Sequence, residues 1–113
     1  MQVQFNTDES VSGTEALGRH AEEVVRRALD RFSNDVTRVE IHLSDTNAQK
    51  AGQNDKRCLM EARVAGRQPV AVTEQADTLQ LAIDGAAQKL KRSLDSTLGK
   101  RGDQTRSEDP RKS

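Results

Sequence analysis

Apolar and polar residues follow two different periods along this chain, and the changes of period divide it into elements. Val3 and Phe5 are separated by Gln2, Gln4 and Asn6, the two-residue alternation of a short strand with one buried face. A polar turn from Asp8 to Thr14 follows, offering Ser12 or Thr14 as a helix cap, with Glu15 three residues after Ser12 as in a capping box. From about Glu15 to Phe32 the apolar positions Leu17, Ala21, Val24, Ala28 and Phe32 step by three and four, which predicts a helix. Val39, Ile41 and Leu43 then alternate with Arg38, Glu40 and His42, predicting a second strand.

The polar segment from Asp45 to Asp55 has almost nothing to bury and reads as a long loop. A third strand is expected from Arg57 to Val64, with Cys58, Met60, Ala62 and Val64 on its inner face. Ala65-Gly66-Arg67-Gln68 is turn material, and Pro69 to Thr73 forms a fourth strand with Val70 and Val72 inward. Asp77 is placed to cap a last helix, whose stripe is Leu79, Ile83, Ala86, Leu90 and Leu94, ending at Leu98-Gly99. The order is β-α-β-β-β-α. Because each strand has a single apolar face, both helices must cover that face of a four-stranded sheet, an α+β two-layer sandwich. Residues 1–98 make up this domain. Residues 99–113 contain no apolar side chain and are expected to form a disordered polar tail.

Composition narrows the chemistry. With 113 residues there is room for one small domain. No apolar run is long enough for a membrane span, and the N-terminal residues lack the pattern of a secretory signal. Cys58 is the only cysteine, so no intramolecular disulfide forms, and a cytoplasmic location is expected. No set of His and Cys has metal-ligand spacing, there is no glycine-rich phosphate loop, and no nucleophile-base pair is evident. No cofactor, metal, small-molecule substrate or catalytic activity is therefore expected. A buried structural role fits Cys58, and His20 and His42 read as surface residues.

Charge is balanced overall at 18 basic and 18 acidic residues, yet it is unevenly placed. Residues 1–84 hold ten Lys/Arg and fourteen Asp/Glu, net −4, whereas residues 85–113 hold eight and four, net +4. On helical spacing Lys89, Arg92, Ser96 and Lys100 share one edge of the last helix, and Asp84, Lys91 and Asp95 the other. Arg27, Arg31 and His20 collect on a flank of the first helix. With both helices on one sheet face, these edges are expected to make a basic trough, extended by Lys56 and Arg57 and suited to phosphates. The absence of Tyr and Trp argues against a platform that stacks single-stranded bases.

Several stretches, in order and at matching spacing, resemble the family of ribosome hibernation-promoting factors and ribosome-associated translation inhibitors. They are Thr14-Glu-Ala-Leu17, Val39-Glu-Ile-His-Leu43, and Ala82-Ile83-Asp84 with Lys89-Leu90 and Arg92. The run Asp55-Lys-Arg-Cys-Leu-Met-Glu-Ala-Arg63 with Asp77-Thr-Leu79 is similar to a short proteobacterial branch of that family. The resemblance spans residues 1–98. It implies a partner, the small ribosomal subunit and its rRNA, and a role in blocking the channel of messenger and transfer RNA in stationary or stressed cells. By position it implies that Lys89 and Arg92 contact phosphates, with Arg27, Arg31, Lys56, Arg57 and Lys100 as further candidates. The protein is expected to be a monomer off the ribosome. The alternative is a regulator or adaptor that binds a protein through the exposed sheet face carrying Arg38, Glu40, His42, Arg57, Leu59, Glu61 and Arg63.

Overall fold

Four strands of this chain lie in sequence order in one sheet, each hydrogen-bonded to its neighbour in the chain. The computed structural model, which describes residues 1–9, 11, 13–45 and 56–99, shows how a helix between the first two changes their direction. Strand β1 (Gln2–Thr7) runs parallel to β2 (Val36–Asp45), because α1 (Thr14–Ala28) carries the chain back across the sheet between them. β3 (Lys56–Val64) and β4 (Val70–Ala76) follow as antiparallel neighbours, giving the order β1-β2-β3-β4. Helix α2 (Leu79–Leu94) completes the β-α-β-β-β-α order, and both helices lie on one face of the sheet. The two-layer α+β sandwich expected from the patterning is thus the fold.

The core is the space between sheet and helices. Val39, Ile41 and Leu43 of β2 meet Cys58, Met60 and Ala62 of β3, beneath Ala21 and Val25 of α1 and Ala82, Ile83, Ala86 and Leu90 of α2, all fully or nearly fully buried. The register pairs Val39 with Ala62, Ile41 with Met60 and Leu43 with Cys58, so each inward row is a row of apolar neighbours. The ladder slips once, between Val36 and Arg38, and this bulge turns Val36 inward as well as Val39.

Local details depart from the sequence expectations. The first helix ends at Ala28, and a 3-10 turn at Asp30–Phe32 carries Phe32 into the core. The buried stripe of α1 is Ala21, Val25 and Leu29, one residue on from the expected Val24 and Ala28, which are half-buried at its margin. Thr14 does not cap α1. The N-cap is Gly13 in the left-handed region, with φ 67°, and no side chain bonds the first turn. Ser12 lies outside the described residues. Asp77 does not cap α2 either, because Thr78 does, its Oγ1 accepting from the Leu81 N–H at 3.1 Å. β4 is longer than expected, reaching Ala76, and a π turn at Asp95–Gly99 follows α2. Most of the expected loop at 45–55, and the tail beyond Gly99, fall outside the described residues.

Candidate nucleic-acid interface

The two edges of α2 face different neighbours, and this decides where its charges point. One edge looks at α1. There Asp84 Oδ1 lies 2.9 Å from His20 Nε2, and Asp95 Oδ1 lies 3.1 Å from an Arg31 guanidinium nitrogen. The acidic positions of α2 therefore engage His20 of α1 and Arg31 of the 3-10 turn that follows it, across the helix-helix seam. Lys91 is half-buried on the same side.

The opposite edge looks at β4. Lys89 Nζ sits 2.8 Å from Glu74 Oε1 and donates to the Thr73 backbone carbonyl at 2.9 Å. Glu74 belongs to the helix-facing row of β4, with Val70, Val72 and Ala76, and its carboxylate passes beneath α2 at Gly85. A Cβ at position 85 would stand 2.6 Å from Glu74 Oε2, so glycine is what admits the carboxylate. Gly85 and Lys89 are one turn apart and clasp Glu74 together. The same negative charge, after burial as the larger cause, pushes the Cys58 thiol up to about 12.

Arg92 lies between the two edges, on the outward crest that also carries Leu81 and Gln88, and is exposed without an ion pair among the described residues. Asp95 lies one turn on from both Lys91 and Arg92 in sequence, and its carboxylate pairs with Arg31 near the end of α2. This cationic end also lies where helix carbonyls favour positive charge.

The remaining candidates are dispersed. Arg27 bonds back to Glu23 on its own helix at 2.8 Å. Lys56 faces the helix side of the sheet, 3.5 Å from Asp45. Arg57, the next residue along an extended strand, projects from the other face of the sheet. Lys100 lies outside the described residues. The expected single trough is therefore not assembled: Lys89 lies on the α2 edge turned toward β4, away from α1, and Arg57 lies behind the sheet. Sequence spacing sorted the edges of α2 correctly but could not tell which one faces α1. Lys91 falls with Asp84 and Asp95, on the edge that spacing assigned to it.

The solvent face of the sheet is a charge network centred on Glu40. Arg38, Arg63 and His42 approach its carboxylate, His42 at 3.6 Å, and Arg63 also reaches Glu61 at 3.8 Å. These pairs offset one another, so this face as a whole carries little net charge away from Arg57.

Two structural comparisons align most of the chain. The N-terminal domain of Thermus thermophilus Protein Y superposes with a TM-score of 0.69 at 21% identity, covering 86% of this chain and 99% of that one. A ribosomal subunit interface protein from Coxiella burnetii superposes with a TM-score of 0.73 at 15% identity, covering 88% and 99%. At such identities the likeness shows a shared fold. No curated protein sequence matches the chain significantly. The family described as sigma 54 modulation protein / S30EA ribosomal protein matches residues 5–101, nearly the whole chain. This protein belongs to that family.

Proposed function

We propose that this protein binds the small ribosomal subunit through rRNA backbone phosphates and occupies the channel of messenger and transfer RNA, suppressing translation in stationary or stressed cells without chemistry of its own. The observation that carries the reading is the basic end of α2, where Lys91 and Arg92 stand one turn before Asp95, Arg31 pairs with that carboxylate, and Lys89 stands on the opposite edge of the helix. Guanidinium forks and ammonium groups suit phosphate oxygens, and such binding needs no reading of base edges. Membership of a ribosome-associated family supports the partner. Among the described residues, no helix is long and apolar enough to cross a membrane, and cytoplasmic ribosomes are the proposed location.

The test is co-sedimentation of the full chain with purified small subunits, with transfer RNA and messenger as competitors, beside translation in vitro. Binding that both competitors displace, with matching loss of translation, is expected. Failure to pellet at low salt rejects the ribosome as partner. Binding that neither competitor displaces discards channel occlusion.

A further inference from the structure

Strand β4 is an outer strand of the sheet, and bonds elsewhere in the ladder fix which way its backbone groups point. The Thr37 hydroxyl donates to the Arg63 carbonyl at 3.2 Å, so that carbonyl faces β2. Backbone groups of successive residues alternate sides along an extended strand, so Leu59, an even number of residues away on β3, also turns its N–H and C=O toward β2. The bond at 3.3 Å from the Asn6 amide nitrogen to the Ile41 carbonyl gives the same alternation from the other side of β2. Thr73 stands opposite Leu59 in a β3–β4 register that runs without a shift. Its N–H and C=O therefore face the open edge, and those of Ala71 and Gln75 do the same.

Exposed strand edges are ordinarily blunted by lysine, proline or a bulge, and β4, Val-Ala-Val-Thr-Glu-Gln-Ala, has none of these. Its protection comes from α2. Lys89 Nζ takes the outward Thr73 carbonyl at 2.9 Å and is held there by Glu74 at 2.8 Å. Thr73 is the midpoint of the three outward residues, so an antiparallel copy of β4 centred on it sets Thr73 opposite Thr73, Ala71 opposite Gln75 and Val70 opposite Ala76. Leu81, at 55% the one exposed large apolar side chain among the described residues, borders a shallow hollow with Gln75 and Ala76. In that pairing Val70 of the second copy comes beside Ala76, on the side where Leu81 stands, and the two-fold axis repeats the contact. The chain carries no net charge, so nothing global opposes self-association. The opposition is local, because each copy brings its own Lys89 to the axis.

We infer that the edge of β4 pairs with β4 of a second copy of this chain, and that Lys89 is the guard that keeps this pairing weak. With the ammonium on Thr73, the central acceptor of each strand is occupied and two like charges meet. Without it, two four-stranded sheets join edge to edge into one. An unrelated extended peptide would find the backbone groups but not the contact of Leu81 with Val70, made twice. The surface is argued from the strand edge alone and does not rest on the ribosomal reading.

The experiment is sedimentation equilibrium of the full chain, with amide hydrogen exchange to locate the contact. The parent is expected to dimerise no more tightly than about millimolar, and Lys89→Met at least about tenfold more tightly than the parent. The amides of Ala71, Thr73 and Gln75 should exchange freely in the monomer and become protected in the dimer. Lys89→Met leaves Glu74 without its partner, so Lys89→Met/Glu74→Gln is measured beside it and should dimerise as well. Thr73→Pro deletes an outward N–H that β3 does not use and should abolish the dimer in either variant, with Ala71→Pro as the equivalent change should Thr73→Pro not fold. Leu81→Ala should weaken it severalfold. Both Lys89 variants remaining monomeric at about 1 mM, association no tighter than the parent's, a dimer that survives the proline, or protection confined to other strands overturns the inference.

Discussion

Lys89 is the residue on which position and geometry pull in different directions. The family resemblance implies that it contacts phosphate, yet its ammonium already holds Glu74 at 2.8 Å and the Thr73 carbonyl at 2.9 Å. A phosphate must therefore compete with a carboxylate that is itself about three-quarters buried. Exposed and half-exposed pairs contribute up to about 1 kcal/mol, so the competition lowers affinity severalfold at most. Glu74→Gln is expected to raise affinity for small subunits or for a model RNA about two- to fivefold, measured by filter binding at fixed salt. Unchanged or weaker binding would mean that Lys89 does not reach phosphate. Glu74 was not legible as a partner, because a glutamate on the inner row of a strand breaks the alternation that identified β4. The signal that could have found it is Gly85, a glycine within a helix interior where alanine would otherwise be preferred.

Cys58 was legible at the residue scale, since it falls on the inward row of β3, and its thiol is held in the protonated form by burial and by Glu74. Below about pH 9 the thiol is protonated in both folded and unfolded chains, so it contributes no pH dependence. Between 9 and about 12 the unfolded thiol ionises while the native one keeps its proton, and stability falls as pH rises. The decline approaches roughly 1 kcal/mol for each pH unit. Urea unfolding from about pH 8 to about pH 11 should show this extra slope in the parent and not in Cys58→Ala, which removes the effect of lysines common to both. If the two slopes coincide, the thiol ionises in place.

The helices and strands themselves were readable because each has one apolar face, and what escaped was where they start and how they turn. In α1 the pairs Val24-Val25 and Ala28-Leu29 put apolar residues on two adjacent stripes. Period alone does not choose between them; packing beneath α2 selects Val25 and Leu29. Caps were missed for a related reason. Asp77 and Thr78 are both good N-caps by type, and only the chain path decides that Thr78, extended at φ −130° and ψ 158°, faces the Leu81 N–H. Thr78→Ala should lower the unfolding free energy by about 1 kcal/mol, read from the denaturant midpoint at unchanged slope. Loss of α2's cap also loosens the turn that holds Ala76 and the Glu74 strand against the helix. A midpoint unmoved by Thr78→Ala would assign the start of α2 to packing of Leu79, Ala82 and Ile83 instead.

At the scale of the whole molecule, a chain with no net charge concentrates cations at one end, and the fold then divides them among surfaces. Arg27 and Lys56 are engaged by neighbouring carboxylates, Arg57 stands behind the sheet, and Arg31, Lys89, Lys91 and Arg92 are borne on or beside α2, Arg31 and Lys89 with carboxylate partners of their own. The helical wheel could sort charges around one axis, but the face a second helix presents to it is a property of the assembled layers. This division sets the salt dependence of the proposed ribosome binding. If four cations replace condensed counterions on RNA, log K should fall with log salt at a slope of about −3, taking the coefficient of single strands. Lys89→Glu/Arg92→Glu should bring the slope to about half that and weaken binding at least tenfold at low salt, while the thermal midpoint moves little, because exposed charges contribute little to folding. Co-sedimentation with small subunits across a salt series reads both quantities at once. A parent slope as steep as −6 would mean that Arg57 or the residues beyond Gly99 also meet phosphate, and the interface would then wrap both faces of the sheet. A slope near zero would remove phosphate contacts as the source of affinity and return the paired charges around Glu40 to consideration as a protein-binding face.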